Sequence, residues 1–507
     1  MTSTNPAPYE QPTEEHEGSR VSAFVDDALG RLDATGVAAA IRAGEISASE
    51  AMEAAITRVE RVDTELGALA HDDYARARRR AAAVDRVGQA PLRGAHGQGR
   101  TGSGAPTTEG VAFAGVPSAL KDNVHAAGHP MTMGSDAMPV HQVIEDGPFV
   151  KQFLETGLVP VGNTNLPPFG WTATTERPRG RVTRNPWDTR YSAGGSSGGT
   201  AALVASGALP IAHGNDGGGS IRIPAAACGL VGLKVTRGRY PNDANHATMP
   251  VKIVVDGVLS RSVRDTAGFV AAVEERHPAK RWPRIGHVEG PGDRLRVGLL
   301  VDSPLAPATD EATAAAVRAT ATLLGSLGHD VIDHAPPVPD FFKTDFEDYW
   351  SLLSFAIVRT GRAMYGKDFD PKRLDPFTLG LAGRFPKRMH RTPLTVARLA
   401  ATGRAYDSAF GPVDVLLTPV LTHTTPRIGY LAGDLDFDTH FERVTGYVGF
   451  TPLHNAAGAP AISLPLGSTP DGRPVGVMLS ARRGQDRLLL ELAYELEAAA
   501  AFARIED

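Results

Sequence analysis

Between Asn185 and Tyr240 the chain carries two glycine clusters that each hold serine, Gly194 to Gly199 and Gly217 to Ser220. Glycine alone lets consecutive backbone N–H groups turn toward one point without steric cost, so a serine inside such a turn sits beside a donor pocket for an oxyanion. The chemistry this points to is acyl transfer. From Ala114 onward, short apolar runs separated by Gly and Pro alternate with Ala-rich helical segments such as Thr200 to Gly207. That alternation predicts an α/β chain with a mixed central β-sheet flanked by helices.

Ser47 and Glu50 form a capping-box pattern, and Met52, Ala55, Ile56 and Val59 recur at helical spacing, so a helix begins near Ala48. The N-terminal region reads as helical through about Val84. Residues 86–111 are Gly- and Ser-rich with too little apolar content to pack, which predicts a surface loop. Leu295 to Val301, Asp310 to Leu327 and His329 to Asp333 read as strand, helix and strand. Residues 337–410 are more irregular and helix-prone, a peripheral helical portion. Its aromatics at Phe341, Phe342, Phe346, Tyr349, Trp350 and Phe355 are either core or the roof of a pocket. Strands resume at Val413 to Leu417 and Ala461 to Leu466, and a last helix spans about Asp486 to Ala500. Residues 1–22, rich in Pro and acids and without an apolar run, read as a disordered tail, leaving 23–505 as one domain.

Of the 507 residues, 42% are apolar and 21% charged, and the formal net charge is -5 with no basic block. The cationic surface that nucleic-acid binding needs therefore has no source, and small molecules are the expected partners. The most apolar window, Thr200 to Ala212, is too short to span a bilayer and is broken by Gly207 and Pro210, so no membrane segment is expected. The one cysteine, Cys228, lies in an apolar segment and cannot make an intramolecular disulfide, which fits a small buried core residue and a reducing cytoplasm. The 16 histidines show no ligand spacing, so no metal is expected.

Acyl transfer needs a nucleophile, a base, and donors for the developing oxyanion. Ser220 directly follows Gly217, Gly218 and Gly219, whose amides stand ready for the oxygen of a carbonyl that its hydroxyl attacks. Lys121 follows an apolar run, where desolvation lowers an ammonium pKa and leaves a neutral fraction to serve as base. Ser196, in the first cluster, is suited to relay a proton between them. Asp216 and Arg222 flank the nucleophile loop and are expected to pair and hold it.

These segments resemble the amidase signature family of serine hydrolases. The likeness extends over roughly Val111 to Arg239 (signature core about 111–240), with weaker echoes at Asp414 to Pro419 and Phe450 to Pro465. Lys121 matches the lysine of G-x-P-x-x-x-K-D, Ser196 the first serine of GGSSGG and Ser220 the serine of DGGGSIR, and the two serines stand 24 residues apart, as in the family. The resemblance implies the amidase signature fold and a Ser-cisSer-Lys triad with a cis peptide entering Ser196. It implies hydrolysis of a carboxamide, ester, carbamate or cyclic amide without a cofactor, and an assembly that is commonly a homodimer.

Departures from the family pattern leave the presumed triad untouched. Asn163 and Pro168 stand where a lysine and a glutamate are usual, Lys234-Val-Thr236 replaces K-P-T, and Ser192-Ala193 replaces T-P. They distance the chain from the glutamine amidase subunit of a tRNA-dependent amidotransferase, which stays as an alternative, and bring it nearer bacterial hydrolases of simple or cyclic amides, including those that open nylon-oligomer rings. A second alternative is an α/β-hydrolase esterase, because Gly194 to Gly198 matches the G-x-S-x-G elbow with Ser196 as nucleophile. That reading needs a strand immediately before the serine, where Asn185 to Arg190 reads as a turn. A third is a binding subunit that keeps the fold without turnover.

Overall fold

A computed structural model of the chain describes residues 18–88, 110–140, 142–335 and 338–506. The strands are β1 (Leu69–Asp72), β2 (Pro117–Lys121), β3 (Val159–Thr164), β4 (Arg184–Asn185), β5 (Asp188–Ser192), β6 (Ile211–Asp216), β7 (Val231–Lys234), β8 (Val255–Ser260), β9 (Arg296–Leu299), β10 (Asp330–Asp333), β11 (Val415–Pro419), β12 (Ala461–Ser468) and β13 (Pro474–Ala481). Eight of them form one mixed sheet in the order β10-β9-β11-β13-β12-β7-β8-β6. β10, β9 and β11 run parallel, and every other neighbouring pair is antiparallel.

Strands β6, β8, β11 and β13 are buried along their whole length. A sheet covered on both faces by helices has no solvent side, so these strands show no alternation of buried and exposed residues. The helix Gly198–Ala205 is likewise buried at every position, which is why it carries small residues and no polar face. Beyond the β6 edge lies a second sheet in the order β1-β3-β2. Backbone-anchored contacts help join the sheets: Ser118 Oγ on β2 donates to Ile211 O at 2.8 Å, and the Lys121 N–H donates to His213 Nδ1 at 3.1 Å. The last residue of β2 is thereby fixed beside the strand that leads into the second glycine cluster.

The capping box is present as read, with Ser47 Oγ accepting from Glu50 N and Glu50 Oε2 accepting from Ser47 N, and it opens a helix over Ala48–Leu66. Continuous helix to Val84 is corrected: Gly67 ends that helix at φ +59, and β1 pairs antiparallel with β3 before a new helix starts at Tyr74. The partner of β1 lies some ninety residues away, so local periodicity carries no sign of it. Asn185 to Arg190 is also more than a turn, since β4 and β5 pair there as a two-stranded hairpin. The strand–helix–strand expected after Leu295 is β9, the helix Glu311–Ser326 and β10. The helix-prone region holds helices over Phe341–Tyr365, Pro376–Arg388 and Thr392–Ala409.

Most of the expected surface loop, residues 89–109, lies outside the described residues, as do 1–17 of the expected tail. Residues 18–22 do not behave as a tail: Ser19 N donates to Thr189 Oγ1 at 3.0 Å, and Val21, which is buried, donates to Pro186 O at 2.8 Å. Among the described residues no helix is long and apolar enough to cross a membrane.

Candidate active site

Lys121 ends β2 inside the protein, with no solvent exposure. Its Nζ lies 2.7 Å from Ser196 Oγ, 2.8 Å from Asn215 Oδ1 and 3.0 Å from Ser197 Oγ. Burial pushes its pKa down to about 7, against the opposing pull of Asp216 and Asp256, so the neutral amine is accessible near neutrality.

Ser196 sits in the loop between β5 and the helix Gly198–Ala205, and the Gly195–Ser196 peptide is cis. Glycine is required just before it by close approach: a Cβ on Gly195 would stand 2.7 Å from Thr174 N and O. Ser220 follows β6 across the second cluster and precedes the helix Arg222–Cys228. Gly219 holds φ +132, and a Cβ there would meet Thr451 Oγ1 at 2.4 Å, so only glycine fits. Its N–H donates to Asp216 Oδ1 at 2.8 Å, which removes it from the expected set of oxyanion donors. Gly217, Gly218 and Ser220 keep their amides.

Asp216 and Arg222 are both fully buried and meet in a two-pronged pair, Nε to Oδ2 and Nη2 to Oδ1, each 2.9 Å. Burial alone would push the Asp216 carboxyl up, but the Arg222 charge and its hydrogen bonds overcome this and hold it well below the ordinary carboxylate range. Arg222 also reaches Asn455 Oδ1 at 2.7 Å, Thr451 O at 3.1 Å and His454 Nδ1 at 3.1 Å. Burial and then Arg222 and Lys234 drive the His454 pKa far down, consistent with a neutral ring accepting at Nδ1. Asn455 Nδ2 returns a bond to Asp216 O at 2.8 Å. The Gly217–Ser220 loop is thus bolted to residues some 230 positions further along the chain. Arg222→Met, which leaves the Asp216 charge buried and unpaired, is expected to cost about 3–5 kcal/mol in urea denaturation. A loss under about 1 kcal/mol would show that the pair does not hold the loop.

Ser196, Gly217, Gly218 and Ser220 all line one cavity of about 440 Å³. The helix Phe341–Tyr365 closes it with Phe346, Tyr349, Trp350, Leu353 and Ile357, so most of the aromatics read from the sequence roof the pocket, whereas Phe355 packs on Phe385 instead. Lys343 and Glu347 are the only Lys, Arg, Asp or Glu among the described lining residues, and Glu347 is held by Arg384 at 3.3 Å. Cys228 is buried behind the site, where burial pushes its thiol up, and its Sγ faces Ala193 O at 3.4 Å.

Sequence reading passed over Asn123, Ser197 and Asn215, which surround the lysine, and Thr451, His454 and Asn455, which hold the loop. The first three stand inside the motifs that carry Lys121, Ser196 and Ser220, so adjacency was their signal. The last three lie in the weaker echo after Phe450, where nothing local marks them.

The chain matches the model of the Amidase family over residues 50–490 and belongs to that family. It is 47% identical over 490 residues to the candidate amidase AmiC of Mycobacterium tuberculosis, covering 96% of this chain and 98% of the relative. To the 6-aminohexanoate-cyclic-dimer hydrolase of a Pseudomonas species it is 34% identical over 504 residues, covering 92% and 94%. The solved structure of a 6-aminohexanoate cyclic dimer hydrolase superposes with a TM-score of 0.78 at 32% identity, over 94% of this chain and 98% of that one. The fold is the amidase signature fold, and the protein is a hydrolase of amide C–N bonds. Neither the esterase elbow nor the amidotransferase subunit is favoured by these likenesses. The strand before Ser196 belongs to the β4–β5 hairpin rather than to the main sheet.

Proposed function

We propose that this amidase works through an acyl-enzyme on Ser220, with Ser196 as proton relay and Lys121 as base. The observation that carries this is a fully buried lysine 2.7 Å from Ser196 Oγ, with Ser196 and Ser220 lining one cavity. Ser220 Oγ bonds to the substrate carbonyl carbon while its proton passes to Ser196 Oγ and the proton of Ser196 passes to Lys121 Nζ. The amides of Gly217, Gly218 and Ser220 receive the oxyanion. On collapse the C–N bond breaks, the proton returns from Lys121 through Ser196 to the leaving nitrogen, and water attacks the ester by the same route. Asp216 and Arg222 are supports that hold the loop.

The substrate is a small neutral amide with an apolar body, since aromatic and aliphatic side chains make up most of the cavity wall. The relative that acts on a cyclic dimer supports including cyclic amides. We read residues 23–505 as one catalytic domain, supported by the place of β12 and β13 in the middle of the main sheet, beside β7. A cytoplasmic homodimer is the assembly we propose, the single cysteine supporting the compartment. The test is turnover by the purified chain alone on aryl amides, aliphatic amides, lactams and carbamates. Neutral apolar amides should lead by about tenfold or more in kcat/KM over charged ones of equal size, as expected for burial of one to two methylene equivalents. Dependence on a partner protein and tRNA would overturn the reading.

A further inference from the structure

Lys121 Nζ faces three oxygens, and a neutral lysine has only two N–H bonds and one lone pair. Which oxygen the lone pair faces decides whether the amine can accept a proton. Asn215 Oδ1, at 2.8 Å, is a carbonyl oxygen and can only accept. Ser197 Oγ, at 3.0 Å, has its own proton directed to Asn215 O at 3.4 Å, so toward the lysine it accepts as well. Ser196 Oγ, at 2.7 Å, is the remaining neighbour and the one with a proton to give. The two N–H bonds of neutral Lys121 therefore go to Asn215 and Ser197, and the lone pair points at Ser196.

This arrangement holds only while Asn215 keeps its oxygen toward the lysine. Turned over, its Nδ2 would donate into the lone pair and quench the base. Asn123 opposes that rotation: its Nδ2 donates to Asn215 Oδ1 at 3.2 Å, and Asn215 Nδ2 donates back to Asn123 Oδ1 at 3.0 Å. Both side chains are buried, and in such a reciprocal pair neither amide can turn alone without leaving buried polar atoms unpaired. Asn123 follows Lys121 by two residues and Asn215 is the penultimate residue of β6, so two adjacent strand ends carry the base and its clamp.

We infer that Asn123 and Asn215 are positioning residues whose amide pair aims the Lys121 lone pair at Ser196. The inference rests on the proposed role of Lys121 as base. Other ionisable groups face the lysine from each packed element: Asp216 and His213 from β6, Asp256 from β8, and His246 from the short helix Ala244–Ala247. His213 takes the backbone N–H of Lys121 on Nδ1 and turns Nε2 to Asp256 Oδ1 at 3.2 Å. Asp122, next in sequence, bonds Thr132 instead. Among the described residues no carboxylate lies within 4 Å of Lys121 Nζ, so the neutral amide oxygen of Asn215 is what the amine meets.

The test is the pH profile of kcat, with KM, for Asn215→Asp, Asn123→Ala, Asn123→Asp and Lys121→Ala on one amide substrate. Asn215→Asp places a carboxylate on Nζ and should move the alkaline limb up by about one pH unit or more, with kcat at neutral pH down about tenfold and recovering at high pH. Asn123→Ala frees Asn215 to turn and should lower the kcat plateau about 10- to 100-fold while KM stays within about threefold, as for a lost general-base contribution. Asn123→Asp, which still accepts from Asn215 Nδ2 and cannot donate, should restore part of that plateau. If Lys121→Ala removes the limb while the limb stays in place in Asn215→Asp and Asn123→Ala affects only KM or melting temperature, the clamp is refuted and the base stands. A limb that persists in Lys121→Ala refutes both. Should Asn215→Asp fail to fold, the two Asn123 variants decide through rescue of kcat.

Discussion

Alanine in place of Ser220 is expected to lower kcat by roughly 10⁴- to 10⁶-fold, the scale on which serine hydrolases lose turnover when the attacking hydroxyl is removed. The cavity, the Asp216–Arg222 pair and the lysine all survive the change, since Ser220 contributes a small hydroxyl at the end of a loop held by its neighbours. KM should therefore move little, and the melting temperature should hold. Ser196→Ala should be milder, because a water in the vacated space can bridge Lys121 to the nucleophile. Equal losses in the two variants, measured as kcat on one amide, would mean that the relay hydroxyl is as indispensable as the nucleophile.

Lys121→Ala is expected to remove the alkaline limb of kcat/KM together with most of the rate, a loss of about 10²- to 10⁴-fold for a general base. The sign follows from the charge: the active form is the neutral amine, so activity rises with pH through the lowered pKa of about 7 and reaches a plateau above it. Burial is the first cause of that lowering, and Asp216 and Asp256 oppose it. Lys121→Arg should not rescue, because a guanidinium stays charged and accepts no proton. Rates from pH 5 to 10 for the parent and both variants are the check, and a near-parental limb in either variant would withdraw the base assignment.

Much of the fold was legible because its signals are local. The Ser47–Glu50 box marks its own helix, and the apolar runs at Leu295 and Ala461 are strands wherever they pair. β1 was missed because four residues of mixed polarity become a strand only through pairing with β3. The same division runs through the site. Lys121, Ser196 and Ser220 stand in short dense motifs, so their residue types announce the chemistry. That Gly219 turns its N–H to Asp216 depends on the loop's torsions, and that Asn455 and Thr451 brace Asp216 and Gly218 depends on contacts across more than 230 residues. Lone-pair direction at Lys121 is further still from the sequence, since it emerges from oxygens on two segments, Ser196-Ser197 and Asn215, that only the fold brings to the lysine.

In the proposed reaction the covalent intermediate forms on Ser220. Treatment with a fluorophosphonate, followed by proteolysis and mass-spectrometric mapping, tests it most directly. The adduct should sit on the peptide carrying Ser220 and should disappear in Ser220→Ala, while Ser196→Ala still labels, more slowly. An adduct on Ser196 that persists in Ser220→Ala would make Ser196, not Ser220, the nucleophile.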